Sequence, residues 1–195
     1  MMAWHWRCVG IVAALVSTPA CAKEIERSTR TDPAGIFQIG FCARPSPDTL
    51  KKWPGHAFVS FSHVKPTGQR DFVAIGHTVT AGVTAAQGIW SAVGAPVSGV
   101  LKEENYTSAM QNCLVVKVDK EDYDRAFELT RSPLQKMGLV STGGPVLEAY
   151  KLRADDCMTF MIAVANTLSR KGIIVPARGA TELPMDYMRR LVGAN

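Results

Sequence analysis

The chain has 195 residues, with 22 basic and 17 acidic side chains, four histidines and a formal net charge of +5. The charges are interspersed and form no basic stripe, and no nucleic-acid-binding motif accompanies them, so an anionic envelope or polymer suits this balance better than nucleic acid. The length suffices for one domain that buries its own apolar core without metal or disulfide staples.

Residues 1–22 read as an export signal: Arg7 supplies the positive charge, Val9 to Val16 the apolar run, and Ala20-Cys21-Ala22 a small-x-small cleavage site. That run is too short to span a bilayer, and no later stretch is long and uncharged enough to do so. The expectation is a periplasmic or secreted product beginning near Lys23. A lipoprotein anchored at Cys21 is the minority alternative, because Thr18 stands where a leucine is usual. Removing residues 1–22 takes away one basic side chain, leaving 21 minus 17, or +4. It also removes Cys8 and Cys21, so Cys42, Cys113 and Cys157 remain. An odd number in an oxidising compartment leaves at least one thiol without a partner in the chain.

Residues 23–35 are polar and read as a flexible lead-in to a single domain over 36–195. Ile36 to Ala43 alternates as a strand should and is stopped by Pro45 and Pro47. A turn over Lys51 to Gly55 leads to a second strand, His56 to Val64, and a hairpin at Lys65 to Gln69 to a third, Asp71 to Val79. Thr80 to Met110 has no clear period, although Ser98 to Lys102 suits a strand. Cys113 to Val118 is an apolar run of strand length, Asp119 can cap a helix from Lys120 to about Leu129, and Val146 to Leu152 reads as another strand. Asp155 is the expected N-cap of a helix over Cys157 to Leu168 that is apolar almost all round and therefore central. Pro184 to Leu191 is a final helix.

Cysteine chemistry needs a thiolate, and the free amides and dipole at a helix start favour one. Cys157 occupies such a position, but the adjacent carboxylates of Asp155 and Asp156 oppose it, so a histidine partner is required. His5 belongs to the signal. His56 opens a strand beside the Pro54-Gly55 turn, where a ligand can approach, and His63, an odd offset away, faces the other side. His77, near the end of the next antiparallel strand, can neighbour His56 and orient it as a third member. Tyr150 can line the site and donate its hydroxyl to an oxyanion, or simply fill the core. A disulfide between Cys42 and Cys113 would leave Cys157 free, with the geometry open. No C-x-x-C or H-x3-H spacing suggests a metal, and no phosphate loop is present, so no cofactor is expected.

Gly55-His56-Ala57-Phe58-Val59, a hairpin with a second histidine, and then Tyr150-x6-Cys157 within YKLRADDCMTF resemble the permuted NlpC/P60 branch of the papain-like cysteine hydrolases. There the histidine strand precedes the cysteine helix, a layout shared with lecithin-retinol-acyltransferase-like proteins. Asp156-Cys157 matches the Asp-Cys that begins the nucleophile helix, and Cys157-x-x-Phe160 the permuted branch. Met158-Thr159 replaces the usual Ser-Gly, and the His56–His77 spacing is wide for the family. The resemblance spans roughly residues 55–171 and implies Cys157 as nucleophile, His56 as base and His77 as the polar third residue. The expected architecture is α+β, an antiparallel sheet packed on the nucleophile helix. The expected activity is hydrolysis through an acyl-enzyme, with a peptidoglycan peptide bond as first substrate and an ester, thioester or acyl-lipid bond as second. A noncatalytic envelope-binding module is the alternative of another class.

Overall fold

The computed structural model describes residues 7–8, 21–45, 55–104, 112–131 and 146–195, which fold as an α+β unit. Eight strands form one sheet: β1 (Arg7–Cys8), β2 (Cys21–Glu26), β3 (Ile36–Arg44), β4 (His56–Val64), β5 (Arg70–Val79), β6 (Val97–Glu103), β7 (Asn112–Val118) and β8 (Val146–Tyr150). Their spatial order is β1-β2-β7-β3-β4-β5-β6-β8. Four α-helices occur among the described residues: α1 (Ala85–Trp90), α2 (Lys120–Glu128), α3 (Cys157–Asn166) and α4 (Pro184–Ala194). None is long and apolar enough to cross a membrane.

Two expectations are corrected here. The sheet is mixed rather than antiparallel, because β2 runs parallel to β7, from Cys21 beside Asn112 to Glu26 beside Lys117. The same pairing turns part of the expected flexible lead-in into a strand. Its Lys-Glu-Ile-Glu pattern looks solvated in isolation, yet Ile25 packs on the core, and Lys117 of β7 lies 3.3 Å from Glu24 and 3.8 Å from Glu26. Tertiary pairing has overridden a weak local preference.

Period-2 alternation gives the sheet two unequal faces. On one, Phe37, Ile39 and Phe41 of β3, Val59 and Phe61 of β4 and Leu114 and Val116 of β7 meet Met161, Val164 and Leu168 and the α4 residues Tyr187 and Leu191. Each such fully buried side chain contributes about 1.5–3 kcal/mol, which is why an apolar ten-residue α3 is held against β4 and β5. On the opposite face a small cluster gathers Phe58, Ala74, Cys42 and Cys113. Cys42 and Cys113 stand directly across the β3–β7 ladder with Cα atoms 4.2 Å apart, and they are joined as a disulfide. Cys157 is the free cysteine among the described residues.

The segment without a clear period holds α1 and β6. Thr84 caps α1 through a reciprocal box with Gln87, and β6 pairs with β5 and β8. Its loop residues 105–111 lie outside the description, as do the turn over 51–54 and the Gly143-Gly144-Pro145 loop.

Candidate active site

The reactive end of α3 is organised by Asp156. Its Oδ1 accepts hydrogen bonds from the amides of Met158 and Thr159 at 3.0 and 3.1 Å, and its Oδ2 from the amide of Arg153 at 2.7 Å. Asp156, not Asp155, is therefore the N-cap. Asp155 is spent one residue earlier, its carbonyl closing a turn with the amide of Lys151 at 2.8 Å. Cys157 follows the cap as the first residue of the helix and is 5% exposed. Arg178 answers the like-charge difficulty posed by the sequence. Its guanidinium grips both oxygens of Asp156 at 2.8 Å, cancelling the carboxylate nearest the sulfur, while Asp155 is turned to solvent. Burial alone would raise the Asp156 carboxyl, but Arg178 and the amides of Arg153 and Thr159 hold it below its ordinary range.

His56 enters from the sheet. Gly55 turns the chain with φ of +80°, and a Cβ there would fall 2.6 Å from the Arg44 carbonyl oxygen, so the turn requires glycine. His56 then stands across the ladder from Arg44, its ring 6.3 Å from that of Phe58. The imidazole shares a cavity with Cys157 and hydrogen-bonds Glu104, its Nε2 lying 3.0 Å from Glu104 Oε1, so that Nδ1 is the ring nitrogen Glu104 does not engage. Glu104 follows β6 directly, is anchored by its amide to the Ala74 carbonyl at 2.8 Å, and has Arg44 at 3.6 Å on its other oxygen. Burial would lower the imidazole's pKa, but the bonds and negative charge of Cys157 and Glu104 prevail and raise it to about 9. Glu104 is likewise held below its ordinary range despite burial, through His56 and Arg44.

Gly76 makes this pairing possible. A Cβ on it would lie 2.6 Å from His56 Nε2 and 2.6 Å from Glu104 Oε1, well inside van der Waals contact, so the absent side chain is the space the pair occupies.

The structure thus sets Cys157 and His56 on one cavity and places Glu104, rather than His77, in hydrogen-bond contact with the imidazole. His77 is placed elsewhere for a reason of parity: its strand neighbour Gly76 faces His56 and Glu104, so His77 points to the other face. It is 2% exposed, with Nδ1 3.8 Å from Asp155 and its ring edge-on to Tyr150 at 5.3 Å. Burial lowers its pKa against the opposing pull of Asp155 and Asp156, which leaves it neutral. Tyr150 shares a cavity of about 360 Å³ with Cys157, His56 and Arg178. Burial, followed by the negative charge near Cys157 and Asp156, pushes its phenol well above the usual range and keeps the hydroxyl a donor.

Glu104, Gly76 and Arg178 escape a reading of the sequence, since each gains its role only from partners 20 or more positions away, as with Glu104 and His56 at a separation of 48. No group of three or more His, Cys, Asp or Glu side chains is placed to hold a metal among the described residues. Chemically, the arrangement offers a thiol at a helix start, an imidazole in the same cavity with a raised pKa, a carboxylate bonded to that ring, and a tyrosine on the cavity wall. Compared with known proteins, the chain matches no family model, no curated protein and no solved structure.

Proposed function

We propose that this protein is an exported cysteine hydrolase with a circularly permuted papain-like, NlpC/P60-like fold, which cleaves a peptide or amide bond of the cell envelope. One observation supports this above the others: a helix-start thiol and an imidazole line one cavity, and that imidazole is bonded to a carboxylate in a space cleared by Gly76. In the proposed reaction the Cys157 sulfur attacks the carbonyl carbon as its proton passes to His56. The amide of Cys157, which is not among those capped by Asp156, and the Tyr150 hydroxyl face the developing oxyanion. Collapse expels the amine with the proton from His56 and leaves a thioester. Water, deprotonated by His56, then releases the acid and restores the thiol. Glu104 keeps Nε2 protonated and the ring oriented throughout.

A second reading, hydrolysis or transfer of an ester, thioester or lipid acyl group, is favoured by the apolar wall that Val79, Ile89, Leu152, Met158 and Leu183 give the same cavity. Incubating the purified protein with peptidoglycan peptides and with acyl esters separates the two. Release of a new amine from the peptides, abolished by Cys157→Ala, is the expected result. Turnover of esters alone selects the second reading, and equal turnover by wild type and Cys157→Ala rejects both.

A further inference from the structure

The turn before α3 contains a residue whose backbone and side chain both call for explanation. Arg153 has φ of +75°, the one non-glycine residue in the left-handed region among those described. That conformation is costly for a side chain with a Cβ, and glycine or asparagine is its usual occupant. The backbone is pinned there from both flanks: the Arg153 amide donates to Asp156 Oδ2 at 2.7 Å, and the amides of Ala154 and Asp155 return to the Lys151 carbonyl at 3.0 and 2.7 Å. All of these bonds use main-chain groups of the turn, so glycine would make them equally well. The Arg153 side chain earns nothing for the fold. It is exposed, and among the described residues its guanidinium has neither an ion pair nor a hydrogen bond.

That free cation lines the cavity that holds Cys157 and His56. The cavity's other charged walls are neutralised in place. Arg178 is locked on both oxygens of Asp156. Glu182 gives one oxygen to the Gly179 amide at 2.9 Å and the other to Arg190 at 2.7 Å. His56 is bonded to Glu104. Among the described residues Arg153 is thus the charge on this cavity left to meet an incoming molecule, and Val79 and Ile89 add apolar lining.

We propose that Arg153 is the specificity-determining residue of this site and selects substrates that carry an oxyanion, a carboxylate or a phosphate, close to the acyl bond presented to Cys157. This deepens the hydrolase reading and rests on it only for the identity of the reacting atom. A planar guanidinium presents paired N–H donors that match either anion in a forked contact.

The test uses the charge of an alkylating reagent as the probe. Iodoacetate, neutral iodoacetamide and a phosphate-bearing iodoacetamide each form a bond from Cys157 sulfur to carbon as iodide leaves with the bonding pair. In wild type, one or both anionic reagents are accelerated relative to iodoacetamide, and which of them gains more identifies the anion. Arg153→Gly should lower that anionic preference about 3- to 10-fold, as expected for loss of one charge at short range in a partly solvated cavity. Arg153→Lys should retain most of it, and high salt should erode it. The thermal midpoint of Arg153→Gly should be unchanged or raised, because glycine relieves the left-handed backbone. An unchanged reagent preference in Arg153→Gly overturns the proposal, as does a fall in thermal midpoint with the preference intact, which would mark a structural arginine. The hydrolase reading fails by a different sign: alkylation that is slow with all reagents and insensitive to His56→Ala, in which case the preference is still measurable.

Discussion

Two clusters of buried charge in this protein use similar parts to different ends. In one, Asp119 accepts from Thr29 at 2.9 and 2.8 Å and from Lys171 at 2.6 Å, while Asp122 accepts from Arg125 at 2.9 Å and Arg170 at 2.6 Å. These bonds tie the start of α2 to the lead-in and to the short 3-10 turn Ser169–Lys171. In the other, Arg44, Glu104, His56, Cys157, Asp156 and Arg178 converge on a cavity. Ionisation is shifted in both: Lys171 drives the Asp119 carboxyl far below its ordinary range, and Asp119 and Asp122 raise Lys171 in return. A perturbed pKa therefore does not by itself mark a site. What separates the second cluster is a free thiol within it, a neighbour cut back to glycine, and an arginine on the cavity wall that has no side-chain partner among the described residues.

Substitutions should divide along that line. The largest effect is expected at His56: His56→Ala should reduce kcat/KM about 1,000-fold or more while the folded protein persists, measured on whichever envelope substrate proves active. Glu104→Gln and Gly76→Ala come next, each costing roughly 10- to 100-fold, the first by loosening the ring and the second by driving a methyl into the His56–Glu104 contact. Equal activity in Gly76→Ala would contradict the packing argument. In the structural cluster, Asp122→Ala should lower unfolding free energy by about 2–4 kcal/mol in urea titration, because it removes the buried carboxylate that Arg125 and Arg170 share, while Lys171 keeps Asp119. The activity of the folded fraction should not change. Loss of activity without loss of stability there would erase the distinction between the clusters.

The smallest and most diagnostic effect is on pH dependence. The folded-state pKa of His56 is raised from 6.5 to about 9, so its proton stabilises the fold fully below pH 6.5, and that contribution is lost as pH rises from 6.5 through 9. Wild type should lose stability relative to His56→Gln across this window. Amide hydrolysis should decline on the same alkaline limb, because the leaving amine needs the proton on His56. In Glu104→Gln the limb should move to lower pH.

Local signals carried much of this architecture, and their failures have identifiable causes. Strands β3, β4, β5 and β7 and helices α2, α3 and α4 follow from alternation, apolar runs and caps within one to three residues of their observed bounds. The meeting of Cys157 and His56 was legible because helix start and strand start are both local features. Helix α1 was hidden by Gly88 at its centre, although Thr84 and Gln87 form a capping box that the pattern contains. Strand β2 was hidden because its evidence is a parallel partner some 90 positions away, as with Cys21 beside Asn112. His77 was drawn into the site by proximity along the hairpin. Counting parity, as the separation of His56 from His63 already required, points instead to Gly76 and Thr78 as the residues on the His56 face. Glu104 had no local signature, since a carboxylate at a strand end is ordinarily solvated, and only the fold brings it to an imidazole.

The central claim is that His56 activates Cys157, and the rate of Cys157 alkylation by iodoacetamide at pH 7 tests it most directly, with Cys42 and Cys113 protected in their disulfide. His56→Ala should slow this reaction about 10- to 100-fold, and raising the pH should restore much of the loss. Equal rates in the two proteins at pH 7 would contradict it.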